Sequence, residues 1–289
     1  MIVILHFFFY TRAYMGKVSA AIKGITRSNL LLLFTFISPF FYLPAQATTP
    51  PELELLQGEY KYRITWNGIK IGRVSLFFNE TPENYRVLVD TKTSGILRMF
   101  HPLRSTTIGE GRKIEGRYVP EFYHANSDSD DGKGRRAKIY FDPDGNVDRR
   151  EVTPLDDPSW RPIVPLSELV GASDPINAFF VMRQEISINI VQDIRTTRIH
   201  VYDGRRLAEI SVRAINAGTK LIHKKITPML NTVISRKPIN GYTPKELKKF
   251  EAGDPILHLY FSRDNRFVPI AAEAYLRFGT IAATLENRD

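Results

Sequence analysis

The chain has 289 residues, with 40 Lys and Arg against 31 Asp and Glu, a net charge of +9, and no cysteine. The lack of cysteine excludes disulfides, thiolate metal sites and a lipid anchor on an N-terminal cysteine, so the fold must rest on its core. The basic excess falls in scattered pairs such as Arg135-Arg136, Arg149-Arg150 and Arg205-Arg206, read as solvated loop residues. A nucleic-acid surface would need a denser stripe interleaved with stacking aromatics.

In chain order, Met15–Ser28 carries Lys17, Lys23 and Arg27 and no acid. The apolar run Leu30–Leu43 follows, broken by Pro39, and then the small-x-small site Ala45-Gln46-Ala47. A basic region, a short apolar core and such a site together read as a secretory signal peptide. The core is shorter than the roughly 20 residues a spanning helix needs. Residues 1–47 are therefore read as a signal, with Met15 as a candidate true start, and an uncleaved anchor is the alternative. Cleavage near Ala47 would remove four basic residues (Arg12, Lys17, Lys23, Arg27) and bring the net charge from +9 to +5. Residues 48–57 read as a linker and 58–289 as a single exported β-domain.

From Gly58 the pattern alternates with period two. Tyr60, Tyr62, Ile64 and Trp66 share one face, and Glu59, Lys61, Arg63 and Thr65 the other. Asn67-Gly68 is the dipeptide a type I′ turn prefers, since both positions need positive φ. Beyond it the apolar phase moves to Val74, Leu76 and Phe78. A bulge at Gly72-Arg73, with Gly72 in left-handed geometry, would restore the match and set Tyr62 beside Val74 and Tyr60 beside Leu76. Asn67, Gly68 and Gly72 are thus structural residues.

Further strands are read at Tyr85–Thr93, Thr106–Arg112, Arg117–Ala125, Arg135–Phe141 and Val147–Val152. Four prolines then mark Glu151–Ser173 as an irregular connection. Asp174-Pro175 opens a short helix, with Asp as cap and Pro at the first position, whose Ile176, Phe179, Phe180 and Arg183 fall on one side. Arg198–Tyr202, Arg206–Ala214, Thr219–Thr227 and Asn231–Arg236 are read as strands, with a hairpin turn at Asp203-Gly204. Thr243-Pro244-Lys245-Glu246 is a capping box that starts a small basic helix. Pro255–Arg263 and Phe267–Phe278, flanking Asp264-Asn265, and Thr280–Leu285 close a set of roughly ten to twelve antiparallel strands.

Several strands are apolar on both faces, among them Val74–Phe78, Ile256–Phe261 and Ile270–Leu276. Either helices cover the second face, or the sheet curls round an apolar cavity. His200 with Tyr202, and His258 with Tyr260, are then candidate polar groups in such a cavity. The acidic run Asn126–Gly132 is read as a solvated loop, because an EF-hand register would place Asp131 where glycine is required. The histidines form no metal-ligand spacing, so no metal is expected, and no nucleotide-binding loop is present, so no cofactor is expected. No G-x-S-x-G elbow occurs, so no enzyme activity is expected either.

The order Tyr60-x-Tyr62-x-x-x-Trp66-x-Gly68-Ile69-x-x-Gly72, Arg117-Tyr118-Val119-Pro120 with Tyr123, Asp174-Pro175-Ile176-Asn177-Ala178, Val201-Tyr202-Asp203-Gly204-Arg205 and Phe267-Val268-Pro269-Ile270 resembles the domain-of-unknown-function family 3108, DUF3108, over about residues 58–285. The resemblance implies an exported, all-β protein with one or two short helices and a curled antiparallel sheet of roll or half-barrel type. It transfers no activity and no catalytic residues. The expected protein is soluble and periplasmic, and it binds an apolar or envelope-derived ligand, such as a lipid, or assists envelope maintenance. Nucleic acid is not an expected partner, and no transmembrane anchor is expected after cleavage. The alternatives are an outer-membrane β-barrel and a cryptic hydrolase.

Overall fold

A computed structural model describes residues 52–288, except 101, 130–133, 193–195, 223–224, 254–255 and 277–278. The expected signal segment, residues 1–47, lies outside the described residues. The elements run β1 (Gln57–Trp66), β2 (Ile69–Glu80), β3 (Asn84–Thr93), α1 (Gly95–Phe100), β4 (Leu103–Ile114), β5 (Arg117–Ser129), β6 (Arg135–Phe141) and β7 (Val147–Thr153). A long connection with one 3₁₀ turn, Leu166–Glu168, leads to α2 (Pro175–Gln192). Then come β8 (Thr196–Tyr202), β9 (Leu207–Ile222), β10 (Lys225–Asn240), α3 (Pro244–Glu251), β11 (Leu257–Ser262), β12 (Pro269–Leu276) and β13 (Gly279–Arg288).

The thirteen strands among the described residues form one antiparallel sheet in the order β7-β6-β5-β4-β3-β2-β1-β13-β12-β11-β10-β9-β8. The chain starts in the middle, meanders to one edge at β7, crosses to the other edge at β8 and meanders back. β13 pairs with β1, Ile64 opposite Ala283, and locks the two halves. The sheet is curled but not closed by strand pairing. Its edges come near each other without pairing: the Arg150 guanidinium of β7 lies 5.8 Å from the Tyr202 ring centroid of β8. The connection between β7 and α2 bridges part of the gap. Ser173 N donates to His200 O at 2.9 Å, and Tyr202 N donates to Ser173 O at 2.9 Å, which gives the β8 edge a short parallel partner.

The first hairpin has the expected Asn67-Gly68 turn, with φ of 47° and 83°. Asn67 also ties in β13, where its Oδ1 accepts from Thr280 N at 2.9 Å. Tyr62 pairs with Val74 and Tyr60 with Leu76 as expected, but the bulge lies one residue earlier, because Ile64 pairs with Gly72 and Thr65 with Lys70. Gly72 does not adopt left-handed geometry. A Cβ there would stand 3.0 Å from the Lys92 carbonyl of β3, so its lack of a side chain serves close strand approach.

Three other readings change. Thr219–Thr227 is not a separate strand, since β9 and β10 pair directly through Ile222↔Lys225 and the chain reverses between them. Asp264-Asn265 does lie within a hairpin, since β11 and β12 pair antiparallel, but its connection, 263–268, has six residues and a further hairpin joins β12 to β13. Asn126–Ser129 belongs to β5 rather than to a loop, and Asp130–Gly132 lies outside the described residues.

The helix opened by Asp174 is not short. It has 18 residues and runs inside the curl, with Ile176, Phe179, Phe180, Met182 and Ile186 buried together with Asn177, Arg183 and Ser187. Phe180 is at the centre, its ring 4.6 Å from Tyr85, 4.8 Å from Tyr118 and 6.2 Å from Phe78. Each such buried aromatic contributes about 1.5–3 kcal/mol. A helix therefore covers the inner face of the sheet, one of the two arrangements that strands apolar on both faces allow. The buried Arg183 and Glu80 match each other in this core. Arg183 Nη1 lies 3.1 Å from Glu80 Oε2, while Tyr118 Oη and Lys113 Nζ donate to Glu80 Oε1 at 2.6 and 2.8 Å.

The outward faces are polar, with ion pairs such as Arg86–Glu110 at 2.7 Å and Arg112–Glu121 at 2.6 Å. Exposed pairs of this kind contribute little stability each. Arg205 and Arg206 do not follow the solvated-loop reading. Arg205 pairs with Asp156 of the connection, Arg206 lies 2.9 Å from Glu246 of α3, and Arg161 lies 3.0 Å from the same carboxylate. These guanidiniums pin the connection and α3 to the β8–β9 turn.

Candidate functional site

The gap between the sheet edges leaves a cleft of about 700 Å³. Its walls come from four separate parts of the sequence: the start of β5, the β6–β7 turn with the end of the connection, one flank of α2, and β8. The local chemistry explains each wall. Asp142 Oδ1 accepts from Asp144 N and Asn146 N and fixes the β6–β7 turn. Asn146 Oδ1 in turn accepts from Gly171 N at 3.0 Å and draws the connection alongside. Asp174 caps α2 through Ile176 N at 2.7 Å and Asn177 N at 3.1 Å, and this directs the helix past the cleft.

Asn177 forms the floor. Its Nδ2 donates to Tyr85 Oη and to the Tyr118 carbonyl, both at 3.0 Å, and so welds the first turn of α2 to β3 and β5. Val181 and Ile188 of α2, one and three turns along from Asn177, supply apolar wall. Arg117, Arg198 and His200 supply positive or protonatable groups, and Asp144 and Glu185 supply negative ones. Thr197 Oγ1 donates to Glu185 Oε2 at 3.3 Å and joins β8 to the helix across the cleft. The site therefore combines an apolar flank with a mixed charged margin.

Behind the floor, burial pushes the Asp174 carboxyl up to about 7, although the N–H groups of Asn177 and Ile176 pull the other way. Its Oδ2 is buried and has no hydrogen-bond partner among the described residues. The neighbouring Tyr85 phenol is raised well above its ordinary value, first by burial and then by Asp174. Burial also opposes the Glu80 charge, but Arg183, Lys113, Tyr118 and the Leu56 N–H outweigh it and hold that carboxylate below its ordinary pKa.

Of the four cavity candidates, His200 alone lines this cleft. It is half exposed and 4.0 Å from Glu209, and it meets Ser173 through backbone atoms. Tyr202 does not line it; the side chain is buried, with its hydroxyl donating to Gly204 O at 2.6 Å to hold the β8–β9 turn. His258 and Tyr260 lie together on the outer face of β11, their rings stacked with centroids 6.3 Å apart. There His258 Nδ1 is 3.4 Å from Asn231 Oδ1, and Tyr260 Oη donates to Glu273 at 2.9 Å.

Arg117, Asn177, Val181, Glu185, Ile188 and Arg198 were not identified from sequence as site residues. One signal could have found two of them: Arg117-Tyr118-Val119-Pro120 and Asp174-Pro175-Ile176-Asn177-Ala178, both part of the resemblance, meet here through the Asn177–Tyr118 hydrogen bond.

A model of the family described as "Protein of unknown function (DUF3108)" matches residues 61–286. No curated protein matches the chain. Among solved structures, a β-barrel-like protein of domain of unknown function DUF1849 from Brucella abortus is 9% identical. That match covers 82% of this chain and 98% of that one, with a TM-score of 0.49. A Bacteroides fragilis protein with a YmcC-like fold is 10% identical over 83% of this chain and 100% of that one, with a TM-score of 0.34.

Proposed function

Since the chain belongs to the DUF3108 family, and the matched span contains every wall of the cleft, we propose that it is a soluble periplasmic protein whose cleft binds an amphipathic, envelope-derived ligand. The observation that carries this reading is the composition of the cleft. An acyl or other apolar portion would lie along Val181 and Ile188, while a polar or anionic head would meet Arg117, Arg198 and His200. About 700 Å³ falls within the range of small-molecule sites. The reading is of a binding protein rather than an enzyme.

Two features support the soluble form over an outer-membrane barrel. A barrel in lipid presents an apolar band outward, and charges at its midplane cost about 2–4 kcal/mol each. Here the outward faces of central strands carry Arg63, Arg73 and Glu286, and the inside of the curl is filled by α2.

Mass spectrometry of the protein purified natively from cells tests the cleft. A co-purified amphiphile is expected, and it should be lost from Val181→Trp, which fills the apolar flank, while the melting temperature stays close to wild type. A consistently empty wild-type protein, or equal loading of the variant, would sink the proposal. Recovery in detergent-extracted outer membrane would sink the soluble form.

A further inference from the structure

Strand β8 ends the sheet on its side. It pairs with β9 from Thr196↔Arg213 to Tyr202↔Leu207, and among the described residues its other edge pairs only with Ser173. There Ser173 N donates to His200 O and Tyr202 N donates to Ser173 O, so the backbone groups of His200 and Tyr202 point away from β9. By the two-residue period of a strand, those of Arg198 and Thr196 point the same way. The His200 N–H, both groups of Arg198 and the Thr196 carbonyl thus have no backbone partner among the described residues. The connection does not supply one, because it reaches Ser173 from the far side of the cleft, where Asn146 Oδ1 holds Gly171 N.

This free edge is a wall of the cleft, lined by Thr196, Arg198, Ile199 and His200. The Thr197–Glu185 hydrogen bond joins it to the flank of α2 that carries Val181 and Ile188. The two faces of β8 differ. Ile199 is buried on the inner face, whereas Arg198 and His200 are exposed on the outer one.

We infer that the ligand of the cleft is an extended peptide, which adds to the free edge of β8 as a further strand. Its backbone bonds to Arg198 and His200, and every second side chain packs on Val181, Ile188 and Ile199. This names the class of ligand for the site proposed above and rests on that proposal. The edge itself selects the occupant. An acyl chain drawn into the cleft strips water from the edge N–H and C=O groups and leaves them unpaired, which is costly. An extended backbone instead repeats a donor and an acceptor every second residue, at the spacing of the edge, so it satisfies these groups while filling the apolar flank. Ser173 already makes such a pair at Val201. The free edge, Thr196–His200, matches about 16 Å of extended chain, and alternation makes that chain amphipathic.

The test passes a library of random decapeptides over the purified protein, identifies the retained sequences by mass spectrometry, and measures the affinity of one of them by fluorescence anisotropy. Arg198→Pro removes an edge N–H without removing a bond to β9, and Arg198→Ala removes the guanidinium alone. The proline variant should bind about tenfold more weakly than the alanine variant, with a melting temperature close to wild type. In wild type, hydrogen exchange at the Arg198 and His200 amides should slow when the peptide binds. No retained peptide, equal affinity of the two variants, or unchanged exchange at these amides would each overturn the inference. A co-purified lipid with no retained peptide would overturn it and leave the cleft proposal standing, whereas peptides held equally by wild type and Val181→Trp would sink both.

Discussion

Helices α2 and α3 start alike and end in different surroundings. Each follows a capping side chain, Asp174 or Thr243, and each has proline at its first position. Yet α2 runs through the core with Arg183 fully buried, whereas α3 has no buried residue and lies against the β8–β9 turn. The acid at each start responds accordingly. Among the described residues Asp174 accepts only from N–H groups, and burial raises its pKa to about 7. Burial also opposes the Glu246 charge, but Arg206 and Arg161 override it and bring that pKa down to about 2. The same local signal thus yields a strained carboxyl in one helix and a satisfied one in the other, and the difference is made by residues far away in sequence.

The sharpest way to break this contrast is at Arg183. Arg183→Leu removes the guanidinium from Glu80 and from the carbonyls of Arg266 and Glu54. Taking away one partner of a buried ion pair costs about 3–5 kcal/mol. Urea unfolding should show that loss, and Arg183→Leu with Glu80→Leu should recover part of it. Arg206→Leu at the half-open α3 cluster should cost only about 1 kcal/mol. Comparable losses at the two sites would mean that burial does not distinguish the helices.

Next in size is a pH effect of opposite sign at the two caps. A carboxyl raised from 3.8 to about 7 favours the fold most when protonated, so the Asp174 contribution is full below about pH 4 and is lost as pH rises through 7. A carboxyl lowered from 4.5 to about 2 favours the fold when ionised, so the Glu246 contribution is present above about pH 4.5 and is lost as pH falls through 2. Between pH 4.5 and 7, Asp174 governs with a slope of up to about 1.4 kcal/mol per unit. Asp174→Asn, which can still cap the helix, should flatten that window, and Glu246→Gln should flatten only the acid limb. Denaturation midpoints across pH decide it; an unchanged slope in Asp174→Asn would contradict the buried-carboxyl account.

A smaller effect is expected where α2 rests on the sheet. A Cβ at Gly109 of β4 would stand 2.5 Å from Ile176 Cβ, so the first turn of the helix sits where a side chain would be. Gly109→Val should destabilise by about 1–3 kcal/mol through overpacking, read as a lowered urea midpoint. A midpoint within error of wild type would mean that the helix shifts freely on β4.

Gly109 also shows where sequence reading stops. The segment Thr106–Arg112 reads as a strand, and so it is, because alternation and turn chemistry are local; nothing local says that a helix will cover Gly109. Asn67-Gly68 and both helix starts were legible for the same reason. Arg183 was placed on the side of α2 with Ile176 and Phe180, but its burial depends on Glu80, 103 residues earlier. The β9–β10 reversal is not legible, because Lys220-Leu221-Ile222-His223-Lys224-Lys225 contains no glycine, proline or asparagine to mark a turn. The phase change at Val74, Leu76 and Phe78 makes a bulge near Gly72 legible, whereas the close approach of the Lys92 carbonyl, which is what glycine serves there, is not local. Of the cleft only His200 was identified, since its walls become neighbours only once β7 and β8 stand at opposite edges of one curled sheet.

The finest discrimination between the helices is at the α3 cap. Thr243 Oγ1 accepts from Glu246 N at 3.2 Å, and Glu246 Oε2 accepts from Thr243 N at 2.8 Å, which satisfies two donors reciprocally. Thr243→Ala removes the first bond but leaves Glu246 held by Arg161 and Arg206, so α3 should stay docked. The expected cost is about 1 kcal/mol, read from the urea midpoint. A much larger loss, with α3 amides exchanging rapidly, would show that the cap rather than the arginines holds α3. The two helices would then differ in where they lie but not in what secures them.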